Sequence, residues 1–196
     1  MPNSPSDIPL EPGHFAGDIP LGLFYRVEVT AFGPRRVDAK TWLFLPDRRV
    51  SRVYPFGGTG SFDQSRCGPD TCGSYEVGAG RMIVRWDGGR QMDWAFEATR
   101  EGISLDGQLF RPARPMTGAA IPGRWADAGG NVYVFDSNGA FSFGTDHKAL
   151  PGTYRLQGFA LTLTFADGDV RRRTIFAASA TEPVGMISVE GEVMSR

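Results

Sequence analysis

Lysine is nearly missing from this sequence: Lys40 and Lys148 are the only two among 21 basic residues, and the rest are arginine. Histidine and cysteine are equally scarce, with two of each. Neither sign of charge dominates, since 21 basic residues stand against 22 acidic ones for a net charge of −1. A chain so balanced has no global field to draw in nucleic acid or an anionic membrane, so neither is an expected partner. No stretch approaches the roughly 20 apolar residues of a membrane-spanning helix. The opening Met-Pro-Asn-Ser-Pro-Ser has neither the charged nor the apolar region of a signal peptide, which makes cytoplasmic the expected location, although a mature exported chain would read the same way. Helix is missing as well. No window keeps apolar residues at helical spacing for three turns without an intervening Gly or Pro, and one short helical turn between Pro55 and Gly73 is the most that is expected.

Metal and nucleophile chemistry are poorly supplied. With Cys67, Cys72, His14 and His147 as the whole stock of soft ligands, a four-ligand zinc site needs both histidines to converge on the cysteine pair, so neither a metal nor a cofactor is expected. The Gly-Pro-Asp between the cysteines lets the chain turn back, and a small Cys67–Cys72 disulfide is the competing expectation in an oxidising compartment. No serine sits in a Gly-x-Ser-x-Gly elbow. The glycine-rich Phe56–Phe62 lacks the Lys-Ser/Thr ending of a phosphate-binding loop and reads as a loop at the end of a barrel. Arg171-Arg172-Arg173 and Arg35-Arg36 read as solvated strand faces.

What the sequence does have is turns and alternation. Its 26 glycines and 14 prolines call for many turns between short strands. Phe159-Ala160-Leu161-Thr162-Leu163-Thr164-Phe165 alternates large apolar with small residues, the period of a half-buried strand, and Met82–Trp86, Tyr25–Val29 and Ile187–Val189 do the same. Asp87-Gly88-Gly89, Ser137-Asn138-Gly139 and Asp167-Gly168 between such runs supply the positive φ angles of hairpin turns.

The runs repeat. Cys72-Gly73-Ser74-Tyr75 matches Pro151-Gly152-Thr153-Tyr154; Met82–Trp86 followed by Asp-Gly matches Leu161–Phe165 followed by Ala-Asp-Gly. Ile103-Ser104-Leu105-Asp106-Gly107 matches Ile187-Ser188-Val189-Glu190-Gly191, and Trp42–Asp47 matches Tyr133–Gly139 more loosely. Four blocks in one order point to an all-β fold, an antiparallel meander barrel built from two repeats of about 80 residues. A flexible N-terminal arm (1–20) is expected, then repeats over 21–111 and 122–196 with a linker at 112–121. Counting five or six strands per copy favours one barrel shared by both, in one compact unit, over two small packed barrels.

The run Gly152-x-Tyr154, Leu161–Gly168, then Ile187–Gly191 resembles the repeating grammar of bacterial lipocalin-like (calycin-type) β-barrels, and Gly123-Arg124-Trp125 is similar to the Gly-x-Trp that opens a lipocalin's first strand. The resemblance implies a barrel whose interior holds a small hydrophobic molecule. Tyr25, Trp86, Trp94, Tyr133 and Phe165 are then the expected ligand contacts. A second reading is an isomerase- or cyclase-type enzyme that folds an apolar substrate inside the barrel, with Asp93 or Glu97 as acid or base if either faces inward. A third is a protein–protein interaction module, for which a homodimer is the expected assembly.

Overall fold

The structure, a computed structural model, describes residues 7–30, 36–52, 60–145, 148–179 and 183–196. Its first eleven strands are β1 (Asp7–Pro9), β2 (His14–Ala16), β3 (Ile19–Thr30), β4 (Arg36–Phe44), β5 (Arg49–Ser51), β6 (Ser61–Asp63), β7 (Cys72–Gly78), β8 (Arg81–Trp86), β9 (Gln91–Thr99), β10 (Gly102–Leu105) and β11 (Gln108–Pro112). Eight follow: β12 (Gly123–Ala126), β13 (Val132–Phe135), β14 (Ala140–Thr145), β15 (Lys148–Gln157), β16 (Ala160–Phe165), β17 (Val170–Ala177), β18 (Met186–Val189) and β19 (Glu192–Ser195). The described residues hold no α-helix, and the expected helical turn is a 3-10 turn at Gln64–Arg66, capped by the Asp63 carboxylate, which accepts the Ser65 N–H. No helix is long and apolar enough to cross a membrane.

The chain forms two compact units. The first comprises Met1–Arg26, Lys40–Pro55 and Asp63–Ala113; the second comprises Val27–Ala39, Phe56–Phe62 and Arg114–Arg196. β3 and β4 each contribute residues to both units; in the first, β3, β4, β5, β7, β8, β9, β10 and β11 are neighbours in that order. β11 then returns to β3 through Arg111↔Tyr25 and Pro112↔Phe24, which closes the sheet. In the second, β12 to β19 pair in sequence order, and Ala126↔Ser195 closes β19 on β12. The antiparallel barrel read from the sequence is therefore present, but each unit closes its own ring, the arrangement weighed second. Five or six strands would enclose little core. Eight, two or three more than the count for each copy, leave an interior that side chains can fill.

Each ring has its own apolar interior. The first is aromatic: Phe24, Trp42, Phe44, Tyr75, Trp86 and Phe110 pack with aliphatic neighbours, and Trp42 lies within 6.4 Å, centroid to centroid, of Phe44, Trp86, Trp94 and Phe110. The second is built on Trp125, Tyr133, Phe135, Phe141, Leu161, Leu163, Phe165 and Ile175. Alternation on the strands is the cause, since residues two apart share a face and only one face can be apolar in a closed ring.

The matched blocks carry matched registers. Gly73 pairs Trp86 and Tyr75 pairs Val84; Gly152 pairs Phe165 and Tyr154 pairs Leu163. At Gly73 and Gly152 a Cβ would collide with the backbone oxygen of Arg85 and of Thr164, so only glycine lets the two strands approach. Asp106 and Glu190 both sit at positive φ, 48° and 52°, ahead of a glycine. Their carboxylates accept the backbone N–H of Ala95 (2.8 Å) and of Thr174 (2.7 Å).

Two expectations about connections change. The 1–20 segment is not a loose arm where it is described: β2 pairs β3, Leu10 is buried, and Leu23 donates to the Glu11 carbonyl while its own carbonyl accepts from Gly13. The 112–121 linker is structural too. Met116 and Ile121 are buried in the second core, and the Ile121 carbonyl accepts the Trp125 indole N–H at 2.8 Å. The apolar Met116 and Ile121 in a segment read as a linker were the missed signal.

Candidate functional site

In a meander of alternating up and down strands, every second turn lies at the same end. The second barrel therefore has one end bearing turns 127–131, 166–169 and 190–191, and an opposite end where β12 starts and β19 stops. The opposite end is plugged. Met116 and Ile121 fill it, and the Arg196 guanidinium lies over the Trp125 ring while donating to the carbonyls of Ala120 and Pro122.

The turn-bearing end is different because of β17. Directly opposed residues on antiparallel strands point to the same face. Leu161 pairs Arg173 and Leu163 pairs Arg171, and both leucines are core residues at 0% and 1% exposure. Arg171 and Arg173 therefore share the interior face, while Arg172 between them points out and is exposed. The Arg171 guanidinium lies 4.6 Å from the centroid of Phe165, a core ring, and its Nε donates to Asp169 at 2.8 Å. Arg173 is half-buried and has no ion-pair partner among the described residues.

Facing these arginines is a row of aromatic and aliphatic groups. Tyr133 pairs Phe143, with ring centroids 4.4 Å apart, and Phe143 pairs Leu150. All three share the interior face, yet Leu150 is 41% exposed, so apolar surface is open to water at this end. Tyr133 is 7% exposed and its hydroxyl makes no hydrogen bond among the described residues. Burial pushes its pKa up to about 12; the charges of Arg173, Glu192, Arg171 and Glu190 also reach it, the arginines lowering and the glutamates raising it. At neutral pH it is a protonated phenol, able to donate. Glu190 is committed to the Thr174 N–H, and neither it nor Glu192 is free.

The first barrel has the same interior positions filled differently. There Val84 pairs Met92 and Met82 pairs Trp94, where the second has Leu163–Arg171 and Leu161–Arg173. Trp94 packs edge-on to Trp42 at 5.3 Å, and Trp42 stacks on Phe44 at 5.9 Å and 9°, as Tyr133 stacks on Phe135 at 5.6 Å and 3°. Two indoles and a thioether fill one barrel where a phenol and two guanidiniums line the other.

The expected ligand contacts are not gathered in one place. Trp86 and Trp94 belong to the first core, Tyr133 and Phe165 to the second, and Tyr25 to neither cluster, because Phe24 takes the interior position beside it. Asp93 and Glu97 are both exposed on the outer face of β9, whose interior face is Met92, Trp94 and Phe96. Asp93 is ion-paired at 2.8 Å with Arg81, and that contact raises the Arg81 pKa. Neither carboxylate faces a substrate, so the enzyme reading loses its acid and base. Cys67 and Cys72 are joined in a disulfide with 5.3 Å between Cα atoms. His14 is an exposed residue bonded to the Pro12 carbonyl, and His147 and Phe56–Thr59 lie outside the described residues. Among the described residues no cluster of three or more metal-ligating side chains occurs.

Arg171 and Arg173 were missed because three arginines in a row hide a period of two. The signal was there: counting back in twos from the apolar Ile175 lands on both. Comparison with known families, with curated proteins and with solved structures returns no match.

Proposed function

We propose that this protein binds a small hydrophobic molecule at the turn-bearing end of its second barrel. On this reading the two barrels are copies of one repeat, lipocalin-like in plan, and the first has become a filled scaffold. The observation that carries the reading is the contrast at matching register positions. Where Met92 and Trp94 take the interior positions of the first barrel, the second has Arg171 and Arg173, with Leu150 41% exposed on the same interior face. A few polar groups facing inward beside water-exposed apolar surface suit a small ligand.

Native mass spectrometry of the purified full chain tests this directly, with dodecanol titration by calorimetry as its second arm. A bound small molecule that leaves on denaturation, or saturable dodecanol uptake abolished by Leu150→Asp, is the expected outcome. A bare chain that also takes up no dodecanol would sink the proposal.

A further inference from the structure

We infer that the molecule bound in the second barrel carries a single anionic head, a carboxylate or sulfonate, held by Arg173 with Arg171 and the Tyr133 hydroxyl. The inference deepens the ligand-binding reading of this same barrel and rests on it.

Three observations carry it. First, Arg173 points inward from β17, half-buried, with no ion-pair partner among the described residues. The flat fork of donors on a guanidinium fits a carboxylate. Second, the nearby acids are already engaged. Asp169 holds Arg171, and Glu190 accepts from the Thr174 N–H. Third, the Tyr133 phenol, on which the charges of both arginines act, is neutral at ordinary pH and makes no hydrogen bond among the described residues. Cation and neutral donor converge on one acceptor, and an apolar tail would lie against Phe143 and Leu150. A cationic or purely apolar ligand would leave Arg173 worse off than in the free protein. The first barrel, with Trp94 and Met92 in these places, offers an anion nothing.

The test is calorimetric titration of the full chain with three probes that share one tail, below their micelle concentrations: dodecanoate, dodecanol and dodecylammonium. Dodecanoate should bind roughly tenfold or more tightly than dodecanol, and dodecylammonium more weakly than either. Arg173→Gln should bring dodecanoate to the level of dodecanol and leave dodecanol within about twofold, while the outward Arg172→Gln changes neither. Arg171→Gln should lower dodecanoate affinity in the same direction, so the inference does not depend on one variant folding. Equal binding of acid and alcohol would overturn the anionic head and leave the hydrophobic site standing, as would a preference for the amine. Binding of none of the three would overturn both.

Discussion

Glu190 shows how much one side chain settles here. It occupies a positive φ of 52° in the β18–β19 turn, a conformation that costs most residues about 1 kcal/mol, and its carboxylate accepts the Thr174 N–H. Asp106 repeats the device with Ala95. Removing the acceptor strands an N–H on a fully buried residue, so Glu190→Ala should lower stability by roughly 1–3 kcal/mol in urea unfolding, with Glu190→Gln losing less than about half of that. Equal losses would mean that the turn matters and the hydrogen bond does not. Such residues resist reading from sequence. Asp106-Gly107 and Glu190-Gly191 are legible as turns, but that their side chains cap the neighbouring strand depends on a register fixed by contacts far along the chain. The same holds for Asp93, whose outward face followed from alternation with Trp94 and Phe96, whereas its partner Arg81 did not.

At the scale of strands, the β7–β8 and β15–β16 hairpins were the most legible elements, because alternation, a Gly-x-Tyr start and an Asp-Gly end all agree on one register. What they could not disclose was the role of glycine. A methyl group at Gly152 would meet the Thr164 backbone oxygen and the Phe141 ring. Gly152→Ala should force the pair apart and cost roughly 1–3 kcal/mol by chemical denaturation, whereas Gly168→Ala, in an open hairpin turn at φ 89°, should cost about 1 kcal/mol from backbone strain alone. The reverse ranking would mean that the hairpin tolerates separation. β17 was the least legible strand, since Val170-Arg171-Arg172-Arg173 gives no apolar period at the end that matters. Period-two reasoning assumes that interior means apolar, and the inward-facing Arg171 and Arg173 break that assumption.

For the whole molecule, two closed rings with separate aromatic and aliphatic interiors imply that damage to one core is felt first in its own ring. Leu161→Ala, at 0% exposure, should cost roughly 2–5 kcal/mol and speed amide hydrogen exchange in β12–β19 well ahead of β7–β10. Uniform acceleration across both sets of strands would mean that the rings unfold as one. The sequence argued for duplication but assigned the strands to one shared barrel, because closure depends on pairs such as Ala126↔Ser195, 69 residues apart by subtraction of their numbers. Local patterns do not reach that far.

The distribution of indoles gives this protein optical labels of its own. Trp42, Trp86 and Trp94 form one contact group in the first barrel, with Trp42 centred 5.9 Å from Trp86 and 5.3 Å from Trp94. Rings that close share their excited states, so the near-ultraviolet circular dichroism of the chain is a signature of the first barrel's packing. Trp125, alone among the apolar residues of the second and covered by Arg196, is its separate reporter. An experimenter can therefore follow the first barrel and the second in one cuvette, without attaching a dye to either.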